Sequence, residues 1–187
     1  RVLDALELKD HGTSGHVFRV HDFALAIARE LRLPPEQLRR VALAGKLHDI
    51  GKIGTPDRIL LKPGKLTPEE YRIIQAHAAR GYRIANRVRV LREIAPIVRA
   101  HHERFDGTGY PDGLRGDEIP IEARIVAVAD AFDAMTSHRP YRPPLPSEAA
   151  LAELQRVSGS QLDPQCVAAF ERAFALVGPL HAHRTSS

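Results

Sequence analysis

Apolar residues recur along most of this chain at spacings of three and four, the pattern of helices that bury one face. Over residues 16–31 the stripe is Val20, Phe23, Ile27 and Leu31. Leu33-Pro34-Pro35 ends it, because proline lacks the amide that a continuing helix needs. A second helix is expected from Pro35 through Leu38, Val41, Ala42 and Leu47, stopping at the glycines of Ile50-Gly51-Lys52-Ile53-Gly54. His48 and Asp49 then fall at its C-terminal end. Thr67-Pro68-Glu69-Glu70 reads as a capping box with proline at the first helical position, starting a third helix that carries His77. A helix over residues 93–103 is expected to deliver His101 and His102.

The character then changes. Residues 104–116 hold Gly107, Gly109, Gly113, Gly116 and Pro111, which oppose both helix and strand and predict a long irregular loop. Loops of that length are uncommon unless functional. Residues 121–135 are apolar nearly all round (Ile125, Val126, Val128, Phe132), as in a largely buried helix. Ser147 and Asp163-Pro164 read as caps of two closing helices, the last anchored by Val167, Phe170 and Phe174. No stretch alternates convincingly as a strand does. The pattern predicts an all-α, multi-helix bundle interrupted by one glycine-rich loop.

Composition narrows this picture. A chain of 187 residues, 43% hydrophobic and 27% charged, suits one compact domain rather than two. The one cysteine, Cys166, leaves no partner for an internal disulfide, which fits a reducing, cytoplasmic setting and leaves metal ligation to histidine and carboxylate. No apolar run approaches the roughly 20 residues of a membrane-spanning helix. The net charge of +4 favours an anionic ligand but is too small to imply DNA or RNA as a partner. Arg80, Arg83, Arg87, Arg89 and Arg92 read as a solvated helix face without a catalytic role.

Candidate chemistry lies in a set of histidines and aspartates spread over successive helices: His48-Asp49, His77, His101-His102 and Asp130. Neutral imidazoles and carboxylates suit borderline divalent metals, and a carboxylate can bridge two ions. Asp130 stands inside the apolar run Val126-Ala127-Val128-Ala129-Asp130-Ala131-Phe132, where a charge needs a cation or strong donors. A structural partner such as an arginine is the alternative. The vicinal His101-His102 pair points about 100° apart on a helix and fits two ligands of one site better than a shared core role.

The segments His48-Asp49-Ile50-Gly51-Lys52, His101-His102-Glu103-Arg104-Phe105-Asp106-Gly107-Thr108-Gly109-Tyr110-Pro111 and Ala129-Asp130-Ala131-Phe132-Asp133-Ala134-Met135-Thr136 resemble the HD-GYP subgroup of the HD-domain phosphohydrolases. So do residues 61–67 and Arg139-Pro140-Tyr141-Arg142, and the resemblance runs from about residue 9 to 170. It implies a metal-dependent phosphodiesterase that hydrolyses cyclic di-GMP to linear pGpG, GMP or both. It also implies metal ligands His48, Asp49, His77, His101, His102 and Asp130, with Asp49 as bridge and as a catalytic residue. His16 matches the N-terminal histidine of the superfamily and is a less certain ligand. Members with a third metal carry a glutamate four residues before that histidine, where this chain has Gly12. Two divalent transition-metal ions (Fe, Mn, Zn, Ni or Co) are therefore expected, with Asp10 or His11 as the minority route to a further ligand.

Two close cations can lower the pKa of a water to give hydroxide near neutral pH and clamp phosphodiester oxygens. Lys52 is expected to donate to a phosphate oxygen or assist the leaving group, unless it is a surface lysine. Arg139 and Arg142 resemble positions that hold substrate phosphates, a task suited to guanidinium forks. Gly109, Tyr110 and Pro111 form the loop after which the family is named, as architecture, pocket wall or a surface for a protein partner. His11, His21, His138, His181 and His183 lie outside the ligand pattern. The expected layout is the end of an upstream linker helix at 1–10, the catalytic domain at 11–178 and a flexible tail at 179–187. The absence of an initial Met points to an upstream sensor or receiver domain, and dimerisation stays open. Two alternatives accompany the hydrolase: an inactive cyclic-dinucleotide-binding or interaction module, and a hydrolase of a different nucleotide phosphodiester.

Overall fold

The computed structural model describes residues 15–138 and 143–181. Among these residues there are eight α-helices and no strand. They are α1 (His16–Glu30), α2 (Pro35–Leu47), α3 (Asp57–Leu60), α4 (Pro68–Arg87), α5 (Ala95–Ala100), α6 (Ile121–Thr136), α7 (Ser147–Val157) and α8 (Pro164–His181). Three 3-10 segments join them: Ile50–Gly54, Arg89–Ile94 and Gly116–Glu118.

Two apolar clusters hold the bundle. In the larger, Val20, Ala24 and Ile27 of α1 meet Val41 of α2, Ile125, Val128 and Phe132 of α6, Leu154 of α7 and Cys166, Val167 and Phe170 of α8. Phe23 packs edge-on against Phe132 and Phe170, with ring centroids 5.2 and 5.7 Å away. The smaller cluster joins Ala44 and Leu47 to Ile50, Ile94, Ile97, Val98, Ile119 and Val126. Helix α6 contributes to both, which is why it is apolar nearly all round. It is the shared wall on which the two halves close.

The helix boundaries follow local chemistry. Thr67 caps α4 by accepting from the Glu70 amide, while the Glu70 carboxylate accepts from the Thr67 amide, the reciprocal capping box. Asp163 caps α8 through the Gln165 amide at 2.7 Å and also holds Arg124 at 2.7 Å. Ser147 differs from expectation: Pro146 occupies the cap position and the serine makes no capping bond.

The largest departure concerns residues 93–103. Instead of one helix, the chain runs as the 3-10 segment Arg89–Ile94 and the short α5, ending at Ala100. His101 is the C-cap of α5, and His102 lies in the turn beyond it. The two rings approach to 4.0 Å between centroids.

Candidate metal centre

The centre forms where α2 ends against the middle of α4. Gly51 makes that crossing possible: a Cβ there would lie 1.9 Å from the His77 carbonyl oxygen and 2.6 Å from the Gly81 amide nitrogen. Opposite it, a Cβ on Gly81 would lie 2.7 Å from a methyl of Val98. The two glycines let the segment carrying His48 and Asp49 touch the helix carrying His77, with α5 closing behind.

Asp49 stands between two groups of candidate ligands. Its Oδ1 lies 3.3 Å from His77 Nε2 and 3.8 Å from His101 Nε2. Its Oδ2 lies 3.3 Å from His48 Nε2 and 2.7 Å from Lys52 Nζ. One group comprises Asp49, His77, His101 and His102, the other His16, His48 and Asp49, and in each the ligand atoms all lie within 4.8 Å of one another. Asp130 Oδ1 extends the second group, 3.7 Å from His16 Nε2 and 4.0 Å from His48 Nε2. All six expected ligands and His16 thus meet at one place.

The proton positions follow from what each ring faces. The Nδ1 atoms of His48, His77 and His101 lie 3.0, 2.6 and 2.7 Å from the carbonyl oxygens of Gly45, Ile74 and Val98. A carbonyl only accepts, so each Nδ1 carries a proton and donates, aiming Nε2 at the centre. His77 Nε2 and His101 Nε2 then face each other at 3.3 Å. Two bare acceptors at that distance need a cation between or beside them. His48 Nε2 is buried and makes no hydrogen bond, its approach to Asp49 being electrostatic only. This donor set and its orphaned nitrogen fit divalent metal.

Electrostatics agree. Burial, reinforced by the neighbouring His102, His48 and His77, holds His101 well below the ordinary imidazole range. Burial and His77 bring His102 down to about 4, so both rings are neutral and free to ligate. Burial also opposes charge on His48, but Asp49 and Asp130 outweigh it and raise its pKa to about 9, so a divalent ion at His48 Nε2 takes the place of a proton that the two carboxylates otherwise hold there. Burial likewise opposes ionised Asp49, and the charges of Lys52 and His48 outweigh it, holding its carboxyl well below the usual range. The pocket is built to keep a carboxylate ionised among imidazoles.

Asp133 is the residue that sequence reasoning passed over. It is buried, whereas Asp130, singled out for burial, is partly exposed and faces His16 and His48. His16 donates through Nδ1 to Asp133 Oδ2 at 2.7 Å, and Arg19 and Ser137 hold the same carboxylate. Burial raises the Asp133 pKa, but the bonds from His16 and Arg19 prevail and leave it lowered. The contact fixes the His16 tautomer and turns Nε2 toward Asp130, as a carboxylate behind a ligating histidine does.

The 104–116 loop walls the centre. Tyr110 stacks on His102 with ring centroids 4.9 Å apart. Gly109 packs so closely that a Cβ would lie 2.2 Å from the Arg104 amide nitrogen. Pro111 is exposed at the turn. Glu103 is buried and organises the return of the loop, accepting from the Asp112 amide at 2.7 Å and the Leu114 amide at 3.1 Å. Arg139, Arg142, Gly12, Asp10 and His11 lie outside the described residues. His21 donates to the Ala42 carbonyl, a packing role between α1 and α2.

An all-helical domain with such a cluster is a metal-competent bundle, and comparison with known proteins narrows the class. The family model described as an HD domain matches residues 2–166. The chain is 46% identical over 177 residues to the cyclic di-GMP phosphodiesterase response regulator RpfG of Xanthomonas campestris, covering 94% of this chain and 47% of that protein. It is 49% identical over 166 residues to a cyclic di-GMP phosphodiesterase of Thermotoga maritima, covering 88% and 45%. The solved cyclic GMP-AMP-specific phosphodiesterase V-cGAP3 of Vibrio cholerae shares the fold, with a TM-score of 0.73 at 21% identity over 95% of this chain and 49% of that one. The chain belongs to the HD domain family. It spans about half the length of the curated relatives it matches. Among the described residues no helix is long and apolar enough to cross a membrane.

Proposed function

We propose that this chain is a metal-dependent phosphodiesterase that hydrolyses cyclic di-GMP to linear pGpG, GMP or both. The observation that carries the reading is the shared Asp49 carboxylate, with one oxygen toward each ligand group. In this reading His77, His101, His102 and Asp49 hold one divalent ion, and His16, His48, Asp49 and Asp130 hold the second. Bound there, two divalent ions would supply a water of lowered pKa and positive charge for the phosphodiester oxygens.

The chain's own residues supply the rest. Lys52, 2.7 Å from Asp49 Oδ2, sits at the edge of the centre, where its ammonium can donate to a phosphate oxygen or to the departing one. Tyr110, held against His102 and kept as a neutral phenol chiefly by burial, gives a flat wall for a base or sugar. Asp133 acts as a positioning residue through His16. Arg139 and Arg142 complete the reading as phosphate-holding residues. A cytoplasmic setting suits the buried, free Cys166. The similarity to two cyclic di-GMP phosphodiesterases supports this substrate.

The test is chromatography of the products formed from cyclic di-GMP, with mixed cyclic GMP-AMP as competitor. Metal-dependent release of pGpG or GMP, absent in Asp49→Ala, is the expected result. Bound metal without turnover of cyclic di-GMP would turn the reading toward a binding module. Preferential turnover of the competitor would move it to a different dinucleotide.

A further inference from the structure

The arginines of α4 do not all behave as a solvated face. Arg80, Arg83 and Arg87 recur at helical spacing and, with Ile53, Gly54 and Ile84, line a cavity of about 250 Å³ beside the metal centre. Arg80 is partly buried: its stem covers Gly54, and its Nη2 donates to Thr55 Oγ1 at 2.8 Å and to the Ile73 carbonyl at 3.0 Å. Its Nε is buried without a hydrogen-bond partner. Arg83 and Arg87 are exposed at the rim, and among the described residues no carboxylate pairs with either. The lining holds no acid, and α4 has none after Glu70.

Like charges brought together without counter-charge are costly unless an anion joins them. Arg87 complements the C-terminal end of the helix dipole, but Arg80 and Arg83 stand more than a turn and about one turn earlier, where that effect has faded. The cavity is smaller than the roughly 300–1,000 Å³ of most small-molecule sites, which suits a compact anionic group better than a whole dinucleotide. Guanidinium forks match phosphate oxygens in pairs, and the exposed forks of Arg83 and Arg87 stand at the rim of the cavity beside Arg80.

We propose that Arg80, Arg83 and Arg87 form a second anion site for a phosphate group, carried by a mononucleotide or present as free phosphate. The site does not depend on the hydrolytic reading. Its wall, Ile53–Gly54, follows Lys52 directly in the same 3-10 segment, so its occupant lies next to the centre without using a metal ligand.

The test is isothermal titration calorimetry of the purified chain at about 0.15 M ionic strength, where weak surface attraction is screened. The probes are inorganic phosphate, GMP and guanosine, each titrated into the unaltered chain and into Asp49→Ala to discount the metal centre. Phosphate and GMP are expected to bind both proteins, and guanosine neither. GMP tighter by about tenfold or more identifies a nucleotide as the natural source, and equal affinities identify free phosphate. The pair Arg83→Gln/Arg87→Gln is expected to weaken binding by about tenfold or more, and Arg83→Lys/Arg87→Lys to fall between. Circular dichroism confirms that the paired variants fold. Binding indifferent to both arginine pairs, binding abolished by Asp49→Ala alone, guanosine binding as well as GMP, or no binding of either phosphate probe would overturn the proposal.

Discussion

Two regions enclose the same centre and are built in opposite ways. The crossing of the His48-Asp49-Ile50-Gly51 segment over α4 is a close apolar contact, with Ile50 in the core and Gly51 against the His77 carbonyl. The 104–116 loop is held by polar bonds: Glu103 to two amides, Arg104 to Asp106, and Phe105 and Asp106 through their amides to Gln161 and Ser160. Close packing fixes distances with nothing to adjust, which suits ligands that must meet within tenths of an ångström. A hydrogen-bonded loop keeps a shape yet gives way one bond at a time, which suits a wall that meets substrate.

Breaking the crossing has the largest expected effect. Gly51→Ala places a methyl inside backbone atoms that cannot move aside, and is expected to cost about 3 kcal/mol or more in urea unfolding and to abolish metal binding. Breaking the loop costs less and spares the metals. Glu103→Gln leaves one of two partly buried amides facing an NH2 group, a loss of about 1–3 kcal/mol. Its amides at Asp112 and Leu114 should exchange faster with deuterium while metal content stays unchanged.

A finer break separates the two ligand groups. Asp133→Asn removes the carboxylate that sets the His16 tautomer and is expected to weaken one metal by roughly 10–100-fold, leaving the His77, His101 and His102 group intact. Competition with a chelator would show one ion lost early and one retained. The smallest effect belongs to the loop's outer ion pair, Arg99 with Asp112 at 2.6 Å, whose side chains are each about a third exposed. Asp112→Asn is expected to change stability by less than about 1 kcal/mol and turnover hardly at all.

The same contrast explains what the sequence revealed. The helices around the larger cluster were legible because burial of one face imposes the 3.6-residue period, and the capping box marked the start of α4. The clustered histidines and Asp49 were legible through the HD and HH motifs, which fix residue types wherever the backbone takes them. Glu103 stands in one of those motifs, but its task depends on how the chain returns at Asp112 and Leu114, which no local pattern encodes. The division between Asp130 and Asp133 was hidden for a similar reason. Both lie on α6, and only the approach of His16 and Arg19 from α1 decides which is buried. The short α5 escaped notice because the apolar spacing over residues 89–100 suits a continuous helix as well as a 3-10 segment followed by an α-helix. Arg80, too, reads as a surface residue until the Ile50–Gly54 segment folds over it.

The central claim is that one carboxylate joins two metal positions, and metal analysis of the gently purified chain beside Asp49→Ala tests it most directly. About two ions per chain are expected in the unaltered protein and fewer than about one in the variant, because both positions share the missing ligand. Two ions retained in Asp49→Ala, or a single ion in the unaltered chain under every metal supplied, would contradict it.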